Sequence, residues 1–405
     1  VHAAVQLKAG GADGESAFGV AALRLTDAFH QLQPNGVTDL AATAVTGHAT
    51  LARRVAAGGL SHQLLARIIA TAGSDDVERS LNELSERGAR FGAYRARAAT
   101  VAVNAEDVVW LRPNLALGLG CTALVGRREL AGRPPSPGLQ HTLEFDDVSP
   151  RAALLWSPTA PIALHAAVSR GIEPPMFDDL VAVQGAHPGL ALATRRLEPQ
   201  SAATVETGAH GTTRALDWNV TVYAAAWRNE ILRLADAAGL PRGAVNASPT
   251  RHNGIEASLR WRILTGADRL TLTVTGTSGR FHFKDDPVYA RNRLAGAPPH
   301  TGAAELRYED RRPSSAAAEA TWVAGPIPAD HAGRLTYGGH SLFHLRTGWR
   351  VTPHLHAFVA VRNALDRDHV ASTAGVLDLA RNPAATSIFL PGPGRAFTVG
   401  LEWKR

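Results

Sequence analysis

Cysteine is almost missing from this chain: among 405 residues only Cys121 carries a thiol. A lone cysteine excludes an intrachain disulfide framework and any CxxC-based zinc or iron–sulfur site. Lysine is nearly as scarce. Lys8, Lys284 and Lys404 account for three of the 42 basic residues, and arginine for the other 39. Arginine presents a planar, always-charged donor fork suited to carboxylates, phosphates and other multidentate anions. These arginines are dispersed, which excludes a basic tail or a nucleic-acid stripe and leaves no nucleic-acid partner in view. Long apolar runs are missing too. The longest, Leu115 to Gly126, falls well short of the roughly 20 residues of a spanning helix. The chain opens on Val1 with no basic stretch followed by an apolar one, so it reads as a mature chain, a fragment or a truncated product. Full disorder is excluded by an apolar content of 45%. A membrane-spanning strand needs only about 9–11 residues, so a membrane remains compatible with all of these absences.

From about residue 100 onward the hydrophobic period is two. Leu216, Trp218, Val220 and Val222 alternate with Asp217, Asn219, Thr221 and Tyr223. Ile255, Ala257, Leu259, Trp261 and Ile263 alternate with Glu256, Ser258, Arg260 and Arg262. Phe397, Val399, Leu401 and Trp403 repeat the pattern at the end. One apolar and one polar face per segment predicts strands, though a soluble sandwich alternates in the same way.

The connections discriminate further. Trp110-Leu-Arg-Pro113-Asn, Trp156-Ser-Pro158 and Trp349-Arg-Val-Thr-Pro353-His each place a Trp before a tight, proline-containing turn. Between such turns lie long polar stretches: 132–147, 173–200, 283–299 and 313–339. Short turns on one side, long loops on the other and Trp near the short turns predict an outer-membrane barrel with an aromatic girdle. The first hundred residues fit less well. Ser74-Asp75-Asp76-Val77, then Leu81, Leu84 and Gly88, predicts a short capped amphipathic helix, and Leu64, Leu65, Ile68 and Ile69 also have helical spacing. In a barrel the first stretch would be a loop helix and the second a strand.

Four segments resemble the TonB-dependent outer-membrane receptors for ferric siderophores. Ser149-Pro150-Arg151 leads to Leu154-Leu155-Trp156-Ser-Pro158 and then to Ser169-Arg170-Gly171-Ile172-Glu173-Pro174-Pro175-Met176-Phe177. Leu197-Glu198-Pro199-Gln200 precedes Val205-Glu206-Thr207-Gly208. Asn246 and Gly254-Ile255-Glu256 follow. Val361-Arg362-Asn363-Ala364-Leu365-Asp366-Arg367 and Pro391-Gly392-Pro393-Gly394-Arg395-Ala396-Phe397 close the series. The resemblance covers roughly residues 90–405, in the family's order. It implies a barrel of 22 strands in the full receptor, a plug in its lumen, and TonB-driven uptake of a ferric complex. The fold class expected here is therefore all-β: one antiparallel transmembrane β-barrel domain over residues 1–405, truncated to about 14–18 strands, without the plug. Aromatic positions of the family are eroded at His165-Ala166, Cys121 and His369, and the chain ends on Trp403-Lys404-Arg405 in place of a terminal aromatic.

The same resemblance implies a receptor and transporter for a ferric siderophore in the bacterial cell outer membrane. Its partners would be the ferric chelate, the TonB system acting through the plug, and outer-membrane lipid with lipopolysaccharide. A passive porin-like channel and a non-functional receptor remnant are the alternatives. Arg170, Arg291 and Arg293 are candidates for an anionic chelate through charge-assisted hydrogen bonds, and Glu173, before two prolines, for a gating contact. The bland readings are a solvated polar wall for the arginines and a stiffened loop exit for Glu173-Pro174-Pro175. His354 and His356 share a strand face as a metal pair would, but no third ligand stands at matching spacing. Gly276-Thr-Ser278-Gly279 lacks the spacing of a nucleophile elbow, and Gly392-Pro-Gly394 is a turn rather than a phosphate loop. No enzyme, no resident cofactor and no protein-held metal are expected, since the iron of such a ligand arrives already chelated.

Overall fold

The computed structural model describes all residues except 1, 12–13, 33–35, 85, 186–188, 236–240, 312–313, 374–388 and 404–405. The strands run β1 (His2–Gly11), β2 (Gly14–Leu32), β3 (Gly36–Ala57), β4 (Leu60–Glu83), β5 (Glu86–Arg112), β6 (Leu115–Arg133), β7 (Gln140–Thr159) and β8 (Ile162–Glu173). Then come a helical turn α1 (Phe177–Leu180), the short β9 (Val181–Gln184) and β10 (Ala191–Thr194), β11 (Gln200–Thr212) and β12 (Leu216–Arg228). These are followed by β13 (Ile231–Ala235), β14 (Pro241–Asn246), β15 (Thr250–Thr265), β16 (Arg269–Phe283), β17 (His300–Glu309) and β18 (Ser314–Ala324). The last are β19 (Ile327–Pro328), β20 (Thr336–Tyr337), β21 (His340–Thr352), β22 (Leu355–Arg362), β23 (Val370–Thr373), β24 (Phe389–Pro391) and β25 (Ala396–Trp403). Seventeen of these strands form the large sheet; β9/β10, β13/β14, β19/β20 and β23/β24 are separate hairpin pairs. That number lies inside the expected range, and the all-β antiparallel architecture is the expected one.

The chain divides into two compact units. One holds residues 1–155, 167–204 and 227–249; the other holds 156–166, 205–226 and 250–405.

In the first unit β1 to β6 form an antiparallel meander whose two faces have opposite chemistry. Registers bring Phe18, Ala49, Ile68, Val103 and Ala123 into one row across five strands. The rows on either side hold Val20, Gly47, Ala70, Val101 and Val125, and Ser16, Leu51, Ala66, Ala105 and Cys121. These side chains are solvent-accessible: Ile68 is 45% exposed, Val103 46% and Val125 56%. A contiguous apolar field of this size is not left open to water by a soluble domain; facing lipid hydrocarbon, it needs no partner. The opposite face carries Thr46, Thr71 and Thr100, with Thr46 and Thr71 hydroxyls 3.0 Å apart and Arg128 donating to Thr100 at 2.9 Å.

The stretch 74–84, expected as a loop helix, is instead the upper half of β4, as far as Glu83, followed by a turn at Leu84. Val77, Arg79 and Leu81 point to one face and are buried, while Asp76 and Glu78 on the other face pair with Arg95 and Arg90 at 2.7 Å. Cross-strand ion pairs and burial at period two outweigh the local capping signal of Ser74-Asp75-Asp76. Leu64 to Ile69 is a strand, as a barrel requires.

Turns at one end of the strands are two to four residues long, as at 58–59, 113–114, 160–161, 213–215, 266–268 and 353–354. Gly58 and Gly59, at φ 59° and 77°, supply the two left-handed positions of a type I′ hairpin turn. Exposed aromatics stand at the tight-turn ends of strands within each unit: Trp110 in the first, and Trp156, Trp261, Tyr308, Trp349 and Trp403 in the second. The other end bears the long connections 174–199, 229–249, 284–299, 325–339 and 363–395. Two loop boundaries differ from expectation. The loop after β6 covers only 134–139, because polar alternation carries β6 and β7 further outward, and the 313–339 stretch contains β18, whose small residues Ser314 to Ala318 mask its period.

Candidate functional site

The long connections are folded, and their folding shows which polar residues are committed to structure. In the first unit, α1, β9, β10 and β14 cover the polar-face side of the upper strands. Leu180, Val181, Leu197 and Ala244 from the loops close on Val77, Tyr94, Ala96 and Leu130 from β4, β5 and β6. Leu180 and Tyr94 are essentially inaccessible. Around this apolar seam lies a charged rim. The Arg79 guanidinium, nearly buried, sits 3.5 Å from Asp178. Burial, reinforced by the charges of Asp178 and Asp76, raises the Asp75 carboxyl above its usual range. Burial likewise raises the Tyr94 phenol, against the opposing charge of Arg79.

Glu173, at the last position of β8, accepts from Gln200 Nε2 at 2.7 Å, and Gln200 Oε1 accepts from the Ile231 amide at 2.7 Å. The carboxylate thus ties the ends of β8 and β11 to the start of β13. Arg170 donates to Asp147 and to the Val148 carbonyl, the latter at 2.9 Å. Asn246 is a second clamp. Its amide oxygen accepts from the Glu198 amide at 2.8 Å, and its nitrogen donates to the carbonyls of Glu198 at 2.9 Å and Asn229 at 2.8 Å.

In the second unit, Asn292 joins two loops by donating to the carbonyls of His331 at 3.1 Å and Ala332 at 2.9 Å, and the Ala295 amide donates to His331 Nδ1 at 3.2 Å. Phe283, Tyr289 and His331 form an aromatic cluster with centroids 5.3–5.9 Å apart. On this scaffold Arg291 projects outward, 74% exposed, 3.1 Å from Asp285, and Arg293 is also exposed. Arg170 and Glu173 lie in the first unit, Arg291 and Arg293 in the second. All four are exposed, and the Arg291 side chain, at 74%, is more open than that of Arg170, at 42%.

The residues that sequence reasoning passed over are the asparagines of the family-like segments. Asn363 sits at φ 46°, donates to the carbonyls of Arg367 at 2.9 Å and Pro393 at 3.2 Å, and accepts from the Arg367 amide at 2.9 Å. Asp366, at φ 52°, accepts from the Arg395 amide at 2.7 Å. These contacts close the base of the 363–395 loop, and the signal for them was the motif itself. His354 stacks on Trp403 with centroids 6.0 Å apart. Among the described residues no group of three or more His, Cys, Asp or Glu could hold a metal ion.

Solved structures similar to this chain include an import receptor and two transporters. The ferric-catecholate import receptor Fiu of E. coli K12, in its closed form, superposes with a TM-score of 0.72 at 15% identity, over 99% of this chain and 63% of that one. The ferric citrate transporter FecA in its unliganded form gives 0.74 at 12% identity, over 99% and 61%. The copper transporter OprC gives 0.71 at 15% identity, over 99% and 64%. At such identities the likeness concerns the fold, and this chain spans less than two thirds of those proteins' length. Among curated proteins none matches the sequence. The sequence model for the TonB dependent receptor-like β-barrel matches residues 127–364, more than half of the chain. With an apolar outward field, tight turns at one end, folded loops at the other and that match, the chain belongs to the TonB-dependent receptor β-barrel family.

Proposed function

We propose that this chain forms the wall and extracellular loops of a receptor that takes up a ferric siderophore across the bacterial outer membrane. In this reading TonB energises uptake through a plug that these residues do not supply. The observation that carries it is the family's barrel with its long connections folded into ordered platforms at one end only. Long loops are general to outer-membrane barrels; loops folded around a fixed apolar core favour capture, because a preorganised surface pays less ordering cost when a ligand binds. Arg291 and Arg293 are the residues assigned to the anionic chelate. The ion pair of Arg291 with Asp285 is exposed and weak, so the guanidinium is available to exchange one carboxylate for another. Arg170 and Glu173 contribute by holding the loop base. The similar structures include receptors described for ferric catecholate, for ferric citrate and for copper; the arginines favour an anionic ferric chelate over a bare cation. The chain performs no chemistry on its ligand.

The test is binding of ferric citrate and of a ferric catecholate to the refolded full chain, read by tryptophan quenching, with heat-dependent gel migration as the check of folding. Arg291→Gln with Arg293→Gln should weaken binding on the order of a hundredfold or more, since each charge-assisted hydrogen bond lost costs at least about tenfold. A folded barrel that binds neither chelate refutes the receptor reading. Ion conductance in planar bilayers without chelate binding would replace it with the passive channel.

A further inference from the structure

His340 and His369 meet at the loop end of the second unit. His340 opens β21, and His369 lies beyond the end of β22 in the 363–395 connection. Their ring centroids are 4.5 Å apart and the planes are tilted by 46°. Other histidine rings pack against aromatic carbon: His252 on Phe281, His331 on Phe283 and Tyr289, His354 on Trp403. Two imidazoles in contact are a different case, because each offers a lone pair when neutral and they repel when both are charged.

The nitrogens show what the pair can do. His369 Nδ1 lies 3.2 Å from the Arg367 carbonyl, which only accepts, so the proton sits on Nδ1 and Nε2 keeps its lone pair. That Nε2 occupies the space left by the missing side chain of Gly392, where a Cβ would collide with it. His340 Nδ1 is buried with no hydrogen-bond partner among the described residues, a costly state for a polar atom. Burial and the neighbouring ring are the influences on the charge of His340, and both favour its neutral, ligating form. No carboxylate is among them, which disfavours magnesium and calcium. The spacing is selective as well. With a metal–nitrogen bond of about 2.0–2.1 Å and about 1.1 Å from nitrogen to ring centre, each centre would stand about 3.2 Å from a shared ion. Centres 4.5 Å apart then subtend about 90° at it, the cis angle of a tetragonal site, whereas a tetrahedral angle would set them about 5.2 Å apart.

We propose that His340 and His369 form a two-imidazole site for a divalent transition metal, cupric copper by preference, which staples the base of the 363–395 loop to β21. This departs from the expectation that the protein itself holds no metal. No third His, Cys, Asp or Glu completes the site among the described residues, so water fills the remaining positions. What separates this pair from His354 and His356 is contact: there His354 stacks on Trp403 instead. The site does not rest on the siderophore reading, because none of the loop arginines takes part and the metal binds as a bare ion rather than as a chelate.

The experiment titrates the folded, chelator-stripped full chain in detergent with copper(II) chloride. Calorimetry reads the affinity, electron paramagnetic resonance reads the coordinated nitrogens, and heat-dependent gel migration checks folding. His340→Gln and His369→Gln should each weaken copper on the order of a hundredfold, since losing a residue that merely orients a metal ligand already costs about 10–100-fold. Gly392→Ala keeps both imidazoles but displaces the His369 ring. It should weaken copper on the order of tenfold or more, and it guards against a histidine variant that fails to fold. His354→Gln with His356→Gln should change nothing. Magnesium chloride should not bind, and zinc chloride should bind more weakly than copper. Copper binding that survives both single histidine variants, or that only the His354 and His356 double variant removes, belongs to other histidines and overturns the proposal. Zinc held as tightly as copper overturns the tetragonal assignment. Copper should also slow proteolysis within 363–395 in the native chain and not in His369→Gln; equal rates overturn the staple. Loss of chelate binding with copper binding intact would leave this site standing while the receptor reading fell.

Discussion

Replacing Ile68 by arginine separates a lipid-facing wall from a water-facing one. Ile68 is the middle of the apolar field on β4. His62, whose Nδ1 lies 2.8 Å from Asp107 Oδ2, marks the polar limit on the turn side, and Ser74 marks it on the loop side, each six residues away. Were this face wet, a side chain 45% exposed could become arginine at a cost within about 0.5 kcal/mol, as surface substitutions usually do. At the midplane of a bilayer the same change costs about 2–4 kcal/mol, a factor on the order of 30 to 1,000 in the folded-to-unfolded ratio. The proper control is Thr71→Arg on the other face. There the loss is one neutral hydroxyl contact with Thr46, 3.0 Å long, worth about 1 kcal/mol, and the new guanidinium faces a polar wall. Refolding into lipid vesicles across a urea series, read by tryptophan fluorescence and by heat-dependent gel migration, gives both costs on one scale. If Ile68→Arg costs no more than Thr71→Arg, the assignment of the two faces is wrong and the membrane reading falls with it.

Leu180→Ala should cost about 2–5 kcal/mol locally, because Leu180 is fully buried among Tyr94, Val181 and Leu197. The expected outcome is protease cleavage within 174–199 while the strands keep their heat-dependent migration; equal protection would place the loop's stability elsewhere. Asn363→Ala removes three hydrogen bonds at a left-handed position. At about 1 kcal/mol each, with about 1 kcal/mol more of backbone strain, the base of the 363–395 loop should open in a limited-proteolysis assay. Asn363→Gly, which restores only the backbone freedom, should recover part of that protection. Acidification should loosen the loop end as well. Burial holds His141, His282 and His340 below the ordinary imidazole value, with Arg196, Arg280 and His369 respectively adding to the effect. A depressed folded value means the unfolded state binds more protons. Their stability is then present in full above the ordinary value of 6.5 and is lost as pH falls from there through the folded values. Protection of residues 325–339 against hydrogen exchange, corrected for the pH dependence of the intrinsic rate, should fall between pH 7 and pH 5 in the native chain and less so in His340→Gln; protection unchanged over that range would show that the neutral imidazole carries no such load.

The faces of the strands were legible in the sequence because each is set by alternation alone: a residue's side follows from its parity, whatever lies across the sheet. Ile255 to Trp261 and Phe397 to Trp403 read correctly for that reason, whereas at Ile263 a bulge between Arg262 and Leu264 breaks the alternation. The stretch from Ser74 to Leu84 misread because its decisive partners are remote. Asp76 meets Arg95 and Arg133, and Val77 meets Leu180, none of which a local window contains. The candidate site divides in the same way. Glu173, Asn246, Asn363 and Asp366 stood inside recognisable segments, but their partners lie 27, 48, 30 and 29 residues away. The motif reported that they matter, and only the fold reports that they are clamps. Loop cores were the least legible, since Leu180, Val181, Leu197 and Ala244 follow no period.

The lengths of the strands bear on what the loop end is for. A tilted membrane strand needs about 9–11 residues, yet β3, β4 and β5 have 22, 24 and 27. On β4 the turn lies only two residues beyond His62, so the excess is all on the loop side. The first unit therefore raises its wall through extended strands joined by short connections, at 84–85 and 134–139, and then lines that wall with α1 and the small hairpins. A strand wall with cross-strand ion pairs is stiffer than a free loop, so a ligand meeting it pays less ordering entropy. The buried Arg79 and the raised carboxyl of Asp75 lie at the seam between wall and lining, where a shift of α1 would expose both to water and release Asp178. Beside the apolar contacts of Leu180 and Val181 with the wall, the charged contact that joins lining to wall is the long one of Arg79 with Asp178, at 3.5 Å.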